Sequence, residues 1–557
     1  MKMHEASNAG LRVLSLAAAL VLLFPFTAQA RSIILQGDDA ATAVLDAGGR
    51  ITHHLDLIRA VAADVTQEQE AALAAHPGVD RIWNNGALEV ATHNSQGNDN
   101  PKRETFYPTQ VGAADLHGQG IDGSGVTVAV IDTGFWRIRG LKKNAANERR
   151  VLAQYDAICD HLLREDGRGD TNDWNGHGSH VTGVIMDSTK SRGQDYRGVA
   201  PGADLVSVKA FDFEGKSTYA TVIRALDWVV SNRDAYGIRV ANLSFSAPPQ
   251  SFYWDDPINQ AVMATWQAGI VVVTSAGNTG PEAVTIGVPG NVPYVITVGA
   301  MTDAFTPDDP SDDRITSFSS AGPSIEGFIK PELVAPGGHI LAPVPFYSFL
   351  SFEFYENRNR KYFSISGTSQ ASAVVTGVVA LMLQDDPWLS PDDVKCRITS
   401  AARPALDDSG ALAWSVLQQG AGLVDARLAV DSNATGCANV GMDIARDLSG
   451  ELNYAGPVRQ DEQGRFFVLG PDGSATYPWD GTYVTTRNFP WIDNFPWIDN
   501  FPWIDNFPWI DNFPWIDNFP WIDNFPWIDT ATTFIEPIDP EPMMDMEVDA
   551  YTWVAQE

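Results

Sequence analysis

Four polar residues, far apart in the sequence, have the types and local settings that acyl-transfer chemistry needs. Asp132 ends the apolar run 126–132, and open α/β sheets gather functional groups at strand ends. His177 lies between glycines in NGHGSHVTG (175–183), which lets the backbone approach closely around a general base. Ser369 begins a helix of small residues, whose N–H groups favour an oxyanion. Asn278, in TSAGN (274–278), could donate a hydrogen bond to that oxyanion.

Each of these residues also has a purely structural interpretation when it is considered alone. Asp132 could be a turn residue, and Asn278 a turn former beside a glycine. Ser369 is one of five hydroxyl residues in ISGTSQASAVVT (365–376), and hydroxyls at a helix start are usually caps. His180 follows His177 by three residues, but no HExxH-type glutamate accompanies them, so we interpret His180 as packing. Only the combination of the four residues favours catalysis.

The segments around these residues alternate between strand-like and helix-like patterns. Helical patterns occupy 218–232 and 257–268. Apolar, β-branched runs bounded by turns occupy 126–132, 203–211, 238–245, 269–277 and 294–300. Buried strands that alternate with helices predict an α/β domain with a parallel sheet covered on both faces.

Four motifs resemble those of the subtilisin family of serine proteases: AVIDTG, NGHGSHVTG, TSAGN and SGTSQASAVVTG. The Asp, His and Ser that they contain also follow one another along the chain in the order found in that family. The resemblance covers residues 106–433 and implies the family's three-layer fold with a central parallel sheet. It implies that Ser369 is the nucleophile, His177 the general base and acid, Asp132 the carboxylate that orients the histidine, and Asn278 an oxyanion donor. Thr368 and Ser372 are then expected to serve the turn and the helix.

The resemblance also implies substrate-binding residues. An extended substrate should pair with two backbone segments and fill a first specificity pocket, formed here by Gly215, Lys216, Ser217, Ser244, Phe245, Ser246, Ser275, Ala276, Gly277 and the neighbourhood of Gly287. Two departures from the family pattern stand out. Gln370 follows the nucleophile where the family usually has Met, and Ser244-Phe245-Ser246 replaces the common Ser-Leu-Gly. The added side chain of Ser246 makes a preference for very large side chains less secure.

The N-terminal region contains segments for export and for processing. Residues 1–30 combine Lys2 and Arg12, an apolar run and a terminal AQA, which is typical of a secretory signal peptide. We therefore expect an exported protein, extracellular or periplasmic or associated with the cell surface, without a membrane span after signal removal. Residues 31–92, with a helix-like EQEAALAAH and one strand over DRIWNNGALEVA, resemble the inhibitory propeptide of subtilases, although an accessory domain is the alternative. Residues 93–105 predict an exposed linker with the processing site, where Lys102-Arg103 could also serve another protease.

Composition limits the partners and cofactors. The formal charge of −33 disfavours nucleic acid and anionic membranes as partners and is compatible with divalent cations. Catalysis of the implied kind requires no cofactor. Structural calcium is an expectation without assigned metal ligands, for which Asp187 and Asp195 are weak candidates. Of the three cysteines, Cys396 and Cys437 are the favoured disulfide pair, which leaves one thiol.

The C-terminal region differs in composition from the rest of the chain. Residues 434–487 predict a strand-rich or irregular extension, residues 488–529 are seven NFPWID repeats, and residues 530–557 are an acidic tail. Proline in every repeat excludes a regular helix, so a turn-rich or polyproline-like array is expected. The exposed tryptophans could bind a surface, a glycan or a protein, and recent duplication without a selected role accounts for the repeats equally well.

Together these features predict a secreted serine endopeptidase, made as a zymogen, that matures by cleaving its own propeptide. Its partners would be protein or peptide substrates and the propeptide acting as an intramolecular inhibitor. The alternative is a protein that binds a surface or a partner through the repeat, on an inactive protease scaffold. A dinucleotide-binding enzyme is disfavoured, since DGSG (122–125) precedes its strand instead of following it.

Overall fold

The computed structural model describes residues 30–90, 106–163, 173–307, 312–353, 358–359, 361–407, 410–470 and 474–483 of the 557-residue chain. These residues form an N-terminal domain, a central α/β domain and a C-terminal extension. No helix in these ranges is long and apolar enough to cross a membrane.

The N-terminal domain is a four-stranded antiparallel sheet in the order β2-β3-β1-β4, with two helices. Its elements are β1 (Arg31–Gln36), α1 (Ala40–Asp46), β2 (Arg50–Leu55), a 3-10 turn (Asp56–Ile58), β3 (Ala60–Val65), α2 (Gln67–Ala74), β4 (Arg81–Asn84) and β5 (Ala87–Val90). Alternate side chains of β1 point to opposite faces, because the period of a strand is two. Ile33 and Leu35 pack under the domain's own helices, while Ile34 joins the core of the central domain. The sheet is therefore buried on both faces.

The single strand expected over 80–91 is wrong, because the chain forms two strands that belong to different sheets. β4 pairs with β1, whereas β5 leaves the domain and pairs with the central domain. Asn85 and Gly86 separate the two strands and bond to a neighbouring helix: Asn85 Oδ1 accepts the Ala220 N–H at 2.9 Å, and the Gly86 carbonyl accepts the Tyr219 N–H at 3.0 Å. Contacts outside the segment thus decide where the strand is interrupted.

The central domain is built on a sheet in the order β15-β14-β13-β11-β6-β9-β7-β8, with β16 also beside β14. The strands of this sheet are β6 (Thr127–Asp132), β7 (Val151–Asp156), β8 (His161–Leu163), β9 (Asp204–Lys209), β11 (Ile238–Leu243), β13 (Val271–Ser275), β14 (Ile296–Thr302), β15 (Arg314–Ile315) and β16 (Leu333–Pro336). Two smaller sheets contain the other strands of the domain: β10 (Lys216–Thr218) and β12 (Phe245–Ser246) pair with β5, and β17 (Ile340–Pro343), β19 (Tyr362–Ile365) and β18 (Arg358–Asn359) pair in that order. The inner strands are parallel, and only the outer β8 and β15 run antiparallel within the described sheet. The predicted α/β fold with a central parallel sheet is confirmed.

Helices cover this sheet, and two of them, α6 and α11, carry predicted catalytic residues at their N-terminal ends. They are α3 (Tyr107–Gln110), α4 (Ala113–Gly118), α5 (Arg139–Lys142), α6 (His177–Met186), α7 (Tyr219–Ser231), α8 (Arg233–Tyr236), α9 (Pro257–Gln267), α10 (Phe349–Glu353), α11 (Thr368–Asp385), α12 (Pro391–Ser400), α13 (Val416–Gln419) and α14 (Ala426–Asp431). α6 and α11 pack against each other, and α7 packs against α9, which also contacts the N-terminal domain. Both α6 and α11 are buried along their N-terminal turns, so His177 and Ser369 at their beginnings face the interior.

The C-terminal extension contains α15 (Ile444–Ser449) and a three-stranded antiparallel sheet of β20 (Val458–Gln460), β21 (Phe466–Leu469) and β22 (Ala475–Trp479). Asp447 attaches it to the central domain by accepting hydrogen bonds from Tyr253 Oη at 2.9 Å and Tyr294 Oη at 2.6 Å. The predicted disulfide is confirmed: Cys396 and Cys437 are bonded, with a Cα–Cα distance of 5.2 Å. Cys159 is a free, exposed thiol.

Candidate active site

Asp132 and His177 form a buried hydrogen-bonded pair at the carboxyl end of β6. His177 Nδ1 lies 2.8 Å from Asp132 Oδ1 and 2.9 Å from Oδ2. Because a carboxylate only accepts hydrogen bonds, Nδ1 carries the proton and Nε2 holds the free lone pair. His177 Nε2 is buried and has no hydrogen-bond partner within the described residues, so its lone pair is available to accept a proton.

Hydrogen bonds between the residue after β6 and the start of α6 hold Asp132 and His177 next to each other. Thr133 Oγ1 donates to Asp173 Oδ1 at 2.8 Å and accepts the Gly178 N–H, also at 2.8 Å. The same Asp173 oxygen accepts the Gly176 N–H at 2.7 Å, which satisfies an otherwise unpaired donor at the helix start. Sequence reasoning missed Thr133 and Asp173. The available signal was an acidic residue three positions before Gly176, the glycine that immediately precedes the helix.

The glycines around His177 permit the close approach that their positions predict. A Cβ atom added at Gly178 would lie 2.3 Å from the carbonyl oxygen of Gly134, a distance that no side chain tolerates. Gly176 has a φ of 104°, in the left-handed region that favours glycine. The helix that carries His177 can therefore lie directly against the loop that follows Asp132.

Ser369 is the second residue of α11 and is fully buried. Its Oγ donates a hydrogen bond to the Ser244 carbonyl at 3.0 Å. The neighbouring hydroxyls have other partners: Thr368 Oγ1 donates to Asn278 Oδ1 at 2.9 Å, and Ser372 Oγ donates to the Ser369 carbonyl at 2.9 Å. Ser369 thus lies at a helix N-terminus, next to one of the predicted substrate-binding segments.

Asn278 is oriented by the first residue of the same helix. Its Oδ1 accepts both the Thr368 N–H at 3.0 Å and the Thr368 hydroxyl at 2.9 Å. Two donors on one atom fix the orientation of the amide and leave Nδ2 on the other side. Asn278 Nδ2 is buried and has no partner among the residues that the structure describes. The amide therefore offers a preoriented, unused donor.

The two predicted substrate-binding segments lie on either side of β5. Lys216, Ser217 and Thr218 of β10 pair antiparallel with Glu89, Leu88 and Ala87. On the other edge, Phe245 and Ser246 of β12 pair antiparallel with Val90 and Glu89. The Val90 N–H donates to the Gly215 carbonyl at 3.0 Å. The end of the N-terminal domain thus forms the middle strand of a three-stranded sheet.

The remaining predicted pocket residues lie beside β12. Ser275, at the end of β13, donates its hydroxyl to the Phe245 carbonyl at 3.0 Å. The Ala276 carbonyl accepts the Gly287 N–H at 3.1 Å, and the Gly277 N–H donates to Thr368 Oγ1 at 3.3 Å. These contacts bring the separate sequence segments 244–246, 275–277 and 287 into one place.

His180 lies in the interior, next to Gln370. Its Nε2 lies 3.1 Å from both the Ile340 and the Phe363 carbonyl oxygens, while Gln370 Nε2 lies 3.3 Å from its Nδ1. Burial lowers the pKa of His180 to about 3. A neutral ring that donates from Nε2 and accepts at Nδ1 satisfies all three contacts. Gln370, which replaces the family's usual Met, supplies the donor.

One group of three metal-ligating side chains is found among the described residues: Asp156, Cys159 and His161, whose ligand atoms lie within 4.8 Å of one another. Asp156 Oδ1 already accepts the N–H groups of Ile158 and Cys159, as is usual in a tight turn. Asp187, one weak calcium candidate, accepts hydrogen bonds from Thr189 and Tyr362, and burial raises the pKa of its carboxyl group. Neither Asp187 nor Asp195 belongs to such a group in the described ranges.

Several predicted segments lie outside the described residues. They are the signal peptide apart from Ala30, the linker 93–105, the seven repeats 488–529 and the acidic tail 530–557.

Comparison with known proteins gives consistent matches. Residues 123–425 match the model of the subtilase family, Peptidase_S8. Serine protease AprX of Bacillus subtilis (strain 168) is 37% identical over 285 residues, which are 50% of this chain and 61% of AprX. Subtilisin DY of Bacillus licheniformis is 31% identical over 292 residues, which are 52% of this chain and 88% of that protein.

A solved structure is similar as well. The crystal structure of fervidolysin from Fervidobacterium pennivorans, a keratinolytic enzyme related to subtilisin, superposes with a TM-score of 0.57 at 23% identity and covers 72% of this chain and 61% of fervidolysin. This similarity shows the fold. The family match extends over more than half of the chain and includes the strand ends and helix starts described above. The chain therefore belongs to the subtilase family of serine endopeptidases.

Proposed function

We propose that this protein is an exported serine endopeptidase whose catalytic residues are Asp132, His177, Ser369 and Asn278. The observation that carries the proposal is the position of β5. An extended peptide segment lies antiparallel between β10 and β12, and its end is adjacent to Ser244, whose carbonyl contacts the Ser369 hydroxyl. An active site of this shape accepts a polypeptide backbone independently of most side chains, as an endopeptidase requires.

In the first half of the reaction, Ser369 Oγ turns from the Ser244 carbonyl towards His177 Nε2 and attacks the carbonyl carbon of the scissile bond. His177 takes the hydroxyl proton, and Asp132 stabilises the resulting imidazolium through Nδ1–H. Asn278 Nδ2 and the Ser369 N–H donate to the oxyanion. The C–N bond then breaks, and His177 gives its proton to the departing amine.

The second half repeats these steps with water. His177 deprotonates a water molecule, which attacks the acyl-enzyme ester and releases the carboxylic acid, while the proton returns to Ser369 Oγ. Base, nucleophile and oxyanion donor are all side chains of this chain, so we propose that catalysis needs no cofactor. Calcium, if it binds, would have a structural role.

We further propose that residues 31–92 are a propeptide that inhibits the enzyme until it is cleaved. β5 occupies the substrate position, and Leu88 on it is buried. The rest of the domain is attached to α7 and α9: Gln36 Nε2 donates to Gln260 Oε1 at 3.0 Å, and the Asp56 N–H donates to Asp227 Oδ2 at 3.0 Å. These contacts would hold the domain in place after cleavage until it dissociates or is degraded.

The test is expression of the chain without residues 1–30 as wild type, Ser369→Ala and Ser251→Ala, with measurement of intact mass and casein hydrolysis. Wild type and the control Ser251→Ala, whose serine lies outside the site, should lose about sixty N-terminal residues and hydrolyse casein. Ser369→Ala should do neither. Full-length, inactive protein in all three preparations would refute the proposal and favour binding through the repeat on an inactive scaffold.

A further inference from the structure

Asp156, Cys159 and His161 lie together on the hairpin that joins β7 to β8. Asp156 ends β7 and His161 begins β8, and the two residues are directly opposed in the antiparallel pairing. Directly opposed residues present their side chains on the same face, with Cβ atoms about 4.5–5.5 Å apart. Cys159 belongs to the turn 157–160 between them. The ligand atoms of the three side chains lie within 4.8 Å of one another, so the backbone of the hairpin already brings them together.

The carboxylate of Asp156 is held in place through only one of its oxygens. Oδ1 accepts the N–H groups of Ile158 at 2.9 Å and of Cys159 at 3.0 Å. A carboxylate has two acceptor oxygens, so Oδ2 is available to a ligand while Oδ1 fixes the group. Asp156 is buried, whereas His161 and the free thiol of Cys159 are exposed. The buried ligand is therefore fixed, and the two exposed side chains can turn towards it.

The other charged groups around the hairpin have partners of their own. Asp160 Oδ1 accepts the Tyr155 hydroxyl at 2.7 Å, and its Oδ2 lies 4.0 Å from Arg224 Nη1. Lys209, which follows β9 next to the end of β7, donates from Nζ to the Thr133 carbonyl at 2.7 Å. Asp160 is thus paired with a tyrosine and an arginine, and the group of three consists of one carboxylate, one thiol and one imidazole.

We propose that Asp156, Cys159 and His161 bind one Zn²⁺ ion, through Asp156 Oδ2, Cys159 Sγ and one ring nitrogen of His161. Zn²⁺ takes thiolate, imidazole and carboxylate ligands, whereas Ca²⁺ and Mg²⁺ take oxygen ligands. The ligand atoms of a tetrahedral zinc site lie about 3.4–3.6 Å apart, so a small rotation of the exposed side chains closes the group around the ion. The thiol proton passes to solvent, and thiolate and carboxylate balance the charge of the ion. Water takes the fourth position.

The ion would fasten the outermost strand of the described sheet. β8 has three residues, and β7 is its one neighbour in that sheet. The end of β7 is joined to β9, because the Ala157 N–H donates to the Lys209 carbonyl at 2.8 Å. A ligand that binds only the folded chain stabilises it, so Zn²⁺ should raise the melting temperature. This inference goes beyond the proposed function and requires no peptidase activity.

The first test measures Zn²⁺ binding by calorimetry, with a chain that lacks residues 1–30 and any polyhistidine tag. Ser369→Ala is the background, so that the proposed self-cleavage cannot shorten the chain, and a thiol assay should give one free thiol per molecule. An excess of Ca²⁺ occupies sites made of carboxylates alone. The background protein should bind one Zn²⁺. Cys159→Ser and His161→Ala should each weaken this binding at least about a hundredfold, since loss of an outer-shell partner alone costs about 10–100-fold.

Matched variants separate metal binding from folding. Asp156→Asn keeps an acceptor for the turn N–H groups but removes the charged ligand, so it should weaken Zn²⁺ binding at least about tenfold. His54→Ala removes an exposed histidine outside the hairpin and should leave the affinity at the background value. Without metal, Cys159→Ser and His161→Ala should melt at the background temperature, because both side chains are exposed. With Zn²⁺, the background and His54→Ala should melt at a higher temperature and these two variants should not.

The second test reports directly on the thiol. Co²⁺ in place of Zn²⁺ should give a thiolate-to-metal charge-transfer absorption in the background protein, which Zn²⁺ displaces and which Cys159→Ser lacks. Zn²⁺ should also slow the alkylation of Cys159 by iodoacetamide, and a chelator should restore the rate. In His161→Ala the same concentration of Zn²⁺ should give no protection, because the thiol has lost a partner ligand.

The outcomes are decisive without any measurement of proteolysis. Equal Zn²⁺ affinities in the background, Cys159→Ser and His161→Ala would overturn the inference and assign the binding to acidic groups elsewhere in the chain. A Co²⁺ complex without the thiolate absorption, or alkylation of Cys159 that Zn²⁺ does not slow, would overturn it as well. Since none of these readouts uses peptidase activity, the inference and the proposed function hold or fail separately.

Discussion

Replacement of Asn278 by alanine should separate catalysis from folding in this enzyme. Its amide has two roles on two atoms: Oδ1 accepts both donors of Thr368, while the buried Nδ2 has no partner among the described residues. In the proposed role, this donor acts only when an oxyanion forms. Asn278→Ala should therefore lower kcat strongly and change KM little, because the interaction exists in the transition state alone.

The expected magnitudes differ for the two roles. Loss of one oxyanion donor costs about 10²–10³ in kcat, or about 2.7–4 kcal/mol, a range that comes from a subtilisin and not from this chain. Loss of the acceptor leaves the Thr368 N–H and hydroxyl without their partner, and each unsatisfied buried group costs about 1–3 kcal/mol. Asn278 is only half-buried, so water can reach part of this site and we expect the lower end of that range for stability.

The assay compares kcat, KM and thermal unfolding of wild type, Asn278→Ala and Asn278→Asp on one chromogenic peptide. Asn278→Asp keeps an acceptor for Thr368 but has no donor for the oxyanion, so it should retain more stability than the alanine variant and lose at least as much kcat. A folded Asn278→Ala whose kcat lies within about threefold of wild type would refute the assigned donor role, since the expected loss is about a hundredfold or more. An active Asn278→Asp would refute it as well.

Three further predictions follow from the contacts of the fold. Asp132→Asn should lower kcat by about 10⁴, because the amide favours the wrong tautomer of His177, and should leave the stability of the fold nearly unchanged. Steady-state kinetics measures the loss of kcat, and thermal unfolding measures the stability. Cys396→Ser opens a disulfide that spans 41 positions and should destabilise the domain by about 4 kcal/mol in urea unfolding, whereas replacement of the exposed Cys159 should change little. Burial raises the pKa of Asp447 to about 6, above its unfolded value, so its contribution to stability should be largest below about pH 4 and decline as the pH rises through 6. The melting temperature of wild type relative to Asp447→Asn should accordingly fall between pH 4 and pH 7, and a flat difference would contradict this pKa.

Local patterns were sufficient to predict most strands and helices and to select the residues that we propose for catalysis. The apolar run before Asp132 predicts β6, and the pattern over 218–232 predicts α7, because strand and helix periods are properties of neighbouring residues. The glycines around His177 predict a close approach because only a missing Cβ permits it. In each case the interaction that produces the pattern lies within a few positions of the residue.

The sequence by itself determined the α/β class of the central domain and the residues that we propose for the chemistry. Only the tertiary structure decided that DRIWNNGALEVA breaks into two strands, that β5 lies between β10 and β12, and that Asp173 holds α6 against β6. It also decided that the Ser246 hydroxyl lies between Gly277 and Gly287, which follow Ser246 by 31 and 41 positions in the sequence. These features depend on contacts between distant segments, and their positions follow from the packing of the whole chain, which no local window of sequence contains.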